Sequence, residues 1–161
     1  MFKHIQTFLD KARKVYYSVR AGGEMERQDF LLSVMGAVED CSPVQIQKIV
    51  FLIDRKIEKT SYNFIPYAYG PFDKAVYDDL DALTRKGYIE RYFYETWRNY
   101  RVTDLGKRKY EELYKNVDKT LIERIVKVGT FVKSLSFTEL VSAIYRAFPE
   151  TKQNSVFFAK P

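Results

Sequence analysis

The sequence predicts a mainly α-helical domain: a winged helix-turn-helix core with one small β-hairpin and extra N- and C-terminal helices. Three observations carry this reading. A capped apolar helix opens at Ser42-Pro43-Val44-Gln45. A turn and helix run from Tyr69 to a stop at Gly87, and an alternating aromatic segment fills residues 88–103. Helix, helix, hairpin is the element order of a winged helix.

In chain order, Phe2, Ile5, Leu9, Ala12, Tyr16 and Val19 recur at helical steps, so residues 1–19 read as an amphipathic helix. Its outer face is basic, since Lys3, Lys11, Arg13, Lys14 and Arg20 are opposed only by Asp10. Ala21-Gly22-Gly23 breaks it. A second helix covers Gln28 to Glu39, with Phe30, Leu31, Val34, Met35 and Val38 facing inward.

Ser42 and Gln45 form a capping box, with Pro43 at the first helical position. In the helix that follows, to about Lys59, Ile46, Ile49, Val50, Ile53 and Ile57 make one stripe while Val44 and Phe51 project elsewhere. A helix apolar on two sides is packed on two sides, which places this one centrally.

Tyr62 to Tyr67 reads as extended, limited by Pro66 to an edge or irregular strand. Gly70 is expected at the next N-cap, Pro71 at the first helical position and Asp73 at the third. Phe72, Val76, Leu80 and Leu83 supply the buried stripe, and Gly87 ends the helix. The hairpin is expected as Tyr88–Glu95 and Tyr100–Thr103 around Trp97-Arg98-Asn99. Thr103-Asp104 caps another helix. Within it Gly106 costs about 1 kcal/mol against alanine and so points to a close contact.

Leu121, Ile122, Ile125, Val126 and Val132 mark a further helix. A second capping box, Ser136 with Glu139, precedes Leu140, Val141, Ile144 and Tyr145, and Phe148-Pro149-Glu150 closes that segment. Residues 151–161 read as a loosely held tail. The whole chain, 1–161, is one domain: core about 28–116, N-terminal helix 1–19, C-terminal helices about 117–150.

Several of these segments resemble the YwgA-like proteins and the related Panacea-domain antitoxins. They are Ser42 to Leu52, Tyr69-Gly70-Pro71 opening a helix, Lys86-Gly87-Tyr88-Ile89, and Leu140 to Pro149. The likeness spans about residues 30–150 and consists mainly of packing and capping positions, Tyr69, Gly70, Pro71, Asp79 and Gly87 among them. It implies a winged-helix-like fold and, for the Panacea members, neutralisation of a toxin by protein contact. It implies no catalytic residues.

Composition narrows the function classes. Net charge is +6 over 161 residues, which suits nucleic acid, an anionic surface or an acidic protein. His4, the only histidine, lies near a terminus, so no histidine-based dyad or multi-histidine metal site is expected, and Cys41, the only cysteine, cannot form an intramolecular disulfide. A single cysteine points to a reduced, cytoplasmic setting. No apolar run reaches membrane-spanning length, and the N-terminus lacks a signal peptide's apolar core. With no carboxylate cluster beyond Asp78, Asp79 and Asp81, and no phosphate-binding loop, the expectation is a non-catalytic protein without cofactor or metal.

Two kinds of partner stay open: a protein, of toxin or regulatory type, or duplex DNA met through the wing and the basic N-terminal helix. On the helix after Pro71, steps of 100° put Lys74, Tyr77, Asp78, Asp81 and Arg85 on the outer face. Lys74–Asp78 and Asp81–Arg85 are each spaced to pair, so this face neutralises itself and suits phosphate poorly. Asp79 falls at the edge of the apolar stripe and needs a partner, a turn amide or a tyrosine hydroxyl; an acidic docking point is the alternative.

The wing offers Arg91, Arg98 and Arg101 among Tyr92, Phe93, Tyr94, Trp97 and Tyr100. That mixture could grip phosphates and stack bases, although strand alternation would turn half the rings inward. Trp97, placed at the tip, is hard to explain by burial and marks a contact surface. By analogy with winged-helix proteins whose terminal helices pair, a homodimer is a further expectation.

Overall fold

The computed structural model describes residues 25–157. The expected helix over residues 1–19, with its basic face, lies outside the described residues. Helices α1 (Arg27–Val38) and α2 (Pro43–Lys56) come first, then a short hairpin of β1 (Ile65–Tyr67) and β2 (Gly70–Phe72). Helix α3 (Lys74–Arg85) leads into a longer hairpin of β3 (Ile89–Tyr94) and β4 (Trp97–Val102). Helices α4 (Asp104–Tyr114), α5 (Lys119–Lys133) and α6 (Phe137–Ala147) follow, and a 3-10 turn spans Pro149–Lys152. The described residues are thus mainly helical, with two small antiparallel sheets.

Helix α2 is the centre. Its run from Ile46 to Asp54 is buried on every side, and it packs against both α5 and β2. The Ser42–Gln45 capping box is formed in both directions, with bonds of 3.3 and 2.9 Å. Phe51 meets Phe64 and Phe148 edge-on at 5.4 and 4.9 Å, which ties the hairpin side to the end of α6. The helix stops at Lys56, short of Lys59, because buried Asp54 folds the chain back by accepting from the Thr60 amide and hydroxyl.

One boundary differs in kind from its expectation. Gly70-Pro71-Phe72 is a strand, and Asp73, not Gly70, is the N-cap of α3, accepting from the Ala75 amide at 2.8 Å. The Gly-Pro pair resembles a helix start, but Gly70 has φ +98° and Pro71 lies opposite Pro66. Neither proline can donate, so two prolines face each other at a ladder position that needs no N–H. Phe72 therefore leaves the helical stripe, and its ring stacks on Tyr67 at 4.9 Å.

The end of α3 follows the sequence closely. Gly87, at φ +77°, donates to the Thr84 carbonyl and Tyr88 to the Leu83 carbonyl, each at 3.0 Å, the two bonds of a Schellman stop. In the second hairpin the turn is Glu95-Thr96, with Glu95 at φ 56°, so Trp97-Arg98-Asn99 belong to β4 rather than to the turn. Cys41, between α1 and α2, bridges to Tyr100 and adds a one-residue third strand beside β4.

Two C-terminal details also differ. Val126 is exposed, since the buried side of α5 is Ile122, Ile125, Val128, Gly129 and Val132. Residues 151–157 are held, not loose: Thr151 is buried, the Val156 amide donates to the Ala68 carbonyl at 3.0 Å, and Asn154 donates to the Pro66 carbonyl.

Candidate functional site

The residues singled out in the sequence divide into an anchored set around β2 and α3 and an exposed set on the β3–β4 hairpin. In the anchored set, Gly70 and Pro71 are buried over α2. The Lys48 ammonium, itself 3% exposed, donates to the Pro71 carbonyl at 3.1 Å. Burial without a carboxylate partner lowers its pKa to about 8. Beside it, Gln47 donates to the Asp73 carbonyl at 2.9 Å and accepts from the Asp73 amide at 3.1 Å. Tyr69 is partly exposed, with its ring edge-on to Phe137 at 5.3 Å.

Asp79 is 2% exposed and takes three donors. Arg27 grips it with Nε at 2.6 Å and Nη2 at 3.1 Å, and the Tyr62 hydroxyl donates at 2.8 Å. The Arg27 guanidinium also lies over the Tyr62 ring at 5.3 Å. Its own pKa is raised by the bond to Asp79, and burial followed by Asp79 raises that of Tyr62. The expected tyrosine partner is present. Arg27 is the addition, and it turns Asp79 into a clamp joining α1, the α2–β1 connection and α3. A fully paired carboxylate of this kind offers no docking charge.

On α3, Lys74 pairs with Asp78 at 2.7 Å as the spacing predicted. The Asp81–Arg85 pair does not form. Asp81 turns to Arg91 on β3 at 4.0 Å, leaving Arg85 exposed and without an ion-pair partner among the described residues. Tyr77 is not on the outer face either: it is half-buried, edge-on to Phe72 at 5.3 Å. The reason is that Phe72 sits in β2, so the inner face of α3 is wider than a stripe through Phe72 implied.

The wing corrects the expectation that alternation would bury half its rings. Only the end next to the helices is covered, where Ile89 and Tyr100 are buried. Phe93, Tyr94 and Trp97 are 71, 64 and 70% exposed. None of the three makes a ring contact among the described residues, because the hairpin extends past the helices that cover its base. Arg101 is held by Glu90 at 2.6 Å and lies over the Tyr92 ring at 4.6 Å, while the Tyr92 hydroxyl donates to Asp40. Arg98, opposite Phe93, has no ion-pair partner among the described residues.

Chemistry is sparse elsewhere. Cys41 is buried, with burial pushing its thiol up to about 12. Among the described residues no group of three or more His, Cys, Asp or Glu could hold a metal ion. No helix among them is long and apolar enough to cross a membrane. An open groove of about 340 Å³ lies between α1 and α5, lined by Val38, Val126, Thr130 and Lys133. Lys133 already donates to the Val38 carbonyl there.

Comparison with family models, curated proteins and solved structures finds no match for this chain.

Proposed function

We propose that the chain is a non-catalytic protein-interaction module of winged-helix type, with the β3–β4 hairpin as its contact surface. Support for the architecture is the order α1, Cys41 bridge, α2, α3, β3, β4, with the β1–β2 hairpin as an insertion before the third helix. The YwgA and Panacea resemblance points the same way and suggests a toxin or regulatory protein as the partner.

One observation carries the choice of partner class. Phe93, Tyr94 and Trp97 are all exposed at the hairpin end, Tyr94 opposite Trp97 on one face and Phe93 opposite the unpaired Arg98 on the other. Aromatic rings and arginine are the residues that dominate protein interfaces. Among the described residues, the cations a DNA reader would use are largely spent: Lys74, Arg91 and Arg101 each face a carboxylate. Phosphate neutralisation is what gives DNA affinity its size.

The DNA-binding alternative, through the wing and the basic N-terminal helix, keeps Arg85, Arg98 and the basic residues of 1–20, and the test weighs both. With Trp97→p-benzoylphenylalanine, irradiation in cells is expected to give covalent adducts with protein. Adducts to nucleic acid would overturn the reading, as would tight duplex binding with a steep salt slope lost in Arg98→Glu.

A further inference from the structure

The backbone of β3 carries an observation separate from its side chains. Tyr100 exchanges both main-chain bonds with Cys41, at 2.9 and 3.1 Å, so its N–H and C=O point away from β3. Arg91 is opposite Tyr100 and is therefore at a non-bonded position of the β3–β4 ladder. By the same alternation, the N–H and C=O groups of Arg91 and Phe93 point out of the sheet. No backbone bond reaches either residue from elsewhere among the described residues.

Natural edges are blunted by proline, lysine, a bulge or a very short strand. β3 runs six residues, Ile89–Tyr94, without proline, lysine or a break in its register. Its one outward charge at an edge position, Arg91, is already turned toward Asp81.

We infer that the open edge of β3 pairs with β3 of a second copy of this chain, antiparallel and across a two-fold axis at Tyr92. The proposal deepens the reading of the wing as a protein-contact surface by naming one occupant. The pattern along the strand selects that occupant and register. With Tyr92 on the axis, Arg91 lies opposite the partner's Phe93, and Phe93 opposite the partner's Arg91. The outward N–H and C=O groups of both residues then meet in bonded pairs. A guanidinium beside a ring is a favourable cross-strand pair. Centring on Arg91 instead would set two arginines against each other. Centring on Phe93 would run the ladder into the turn, where Glu95 leaves extended geometry.

The test is sedimentation equilibrium of the full chain over a micromolar concentration series, comparing wild type with Phe93→Pro and Phe93→Ala. Because the Phe93 N–H faces outward, proline there removes the edge donor without removing a β3–β4 bond. Wild type is expected to dimerise, Phe93→Ala to dimerise several-fold more weakly, and Phe93→Pro to stay monomeric. Amide exchange on the wild-type chain is the control against misfolding: the Arg91 and Phe93 amides should gain protection as concentration rises. A wild-type monomer throughout, equal dimerisation by Phe93→Pro, or equal losses in the two variants would overturn the proposal. A monomer would leave the protein-contact reading to the crosslinking experiment, where adducts heavier or lighter than a self-dimer decide it.

Discussion

The two hairpins of this chain are built from similar residues and are packed in opposite ways. Both carry large apolar side chains at the surface, Ile65 with the rings of Tyr67 and Tyr69 on the first, Phe93, Tyr94 and Trp97 on the second. In the first, three-residue strands place Pro66 against Pro71, so little donor capacity is left for a further strand. Its rings are matched, Tyr67 with Phe72 and Tyr69 with Phe137. Its backbone is held from below by Lys48 and from the side by Val156 and Asn154. The second hairpin has twice the strand length, an open edge and unmatched rings. Aromatic content alone therefore does not mark a contact surface. The proposal for the second hairpin rests instead on aromatic content on a strand whose backbone and ring faces are left without partners.

The largest expected effect comes from loosening the second hairpin at its foundation. A Cβ on Gly106 would run into the Tyr88 carbonyl oxygen and lie 2.7 Å from Val102 Cγ1, both at the base of the hairpin. A flexible side chain could move aside, but a carbonyl just before β3 moves only with the strand. Gly106→Ala is expected to cost about 3 kcal/mol, at the upper end of overpacking changes. Chemical denaturation measures this directly. A loss below about 1 kcal/mol would mean that the hairpin base yields to the added methyl and is less firmly held than the first hairpin.

The first hairpin is tested through Lys48. Its pKa of about 8 in the fold lies below the ordinary 10.5, so between these values the unfolded chain binds the proton more tightly. Stability contributed by this residue therefore rises as pH goes from 8 to 10.5, by about 3 kcal/mol, and is flat below 8. Lys48→Met removes the buried charge and also the donor to the Pro71 carbonyl, an acceptor worth about 1–2 kcal/mol when left unpaired. The variant is expected to be more stable than wild type at pH 7 by about 1–2 kcal/mol and less stable at pH 10.5. Comparing the two proteins at each pH cancels the titration of tyrosines such as Tyr62. Curves that run parallel would mean that the amine is solvated and does not anchor the hairpin as described.

Lys48 also shows where the sequence stops being informative. Capping boxes at Ser42 and Ser136, the Gly87 stop and the close approach at Gly106 were legible because each is local chemistry spanning a few residues. The Gly70-Pro71 strand was not, because its conformation is set by Pro66 across the turn and by Lys48 more than twenty residues away. Asp79 could be read as needing a partner, since its angle on the helix is a local property. That Arg27 would supply the partner is a tertiary fact. Gln47 and Lys48 were passed over within the apolar stripe of α2. Two polar residues inside a helix packed on two sides are a signal that the same reasoning applied to Asp79 would have caught. For the wing, alternation was the right rule applied past its limit. It assigns faces to a strand, but it does not say how far the covering helices reach.

That limit leads to the smallest expected effect, at the hairpin end. Trp97 and Tyr94 face each other across the last rung and are 70 and 64% exposed. The two rings make no contact, so replacing both with serine removes mainly strand propensity, about 0.5 kcal/mol, and little buried area. If the wing is a contact surface, the double variant Trp97→Ser with Tyr94→Ser should unfold within about 0.5 kcal/mol of wild type. The side chains are then present at a cost in exposed apolar area that the fold does not recover. A destabilisation above about 2 kcal/mol would place those rings against the protein in solution. The second hairpin would then resemble the first, covered and matched, and the surface assigned to it would have to be sought on another face.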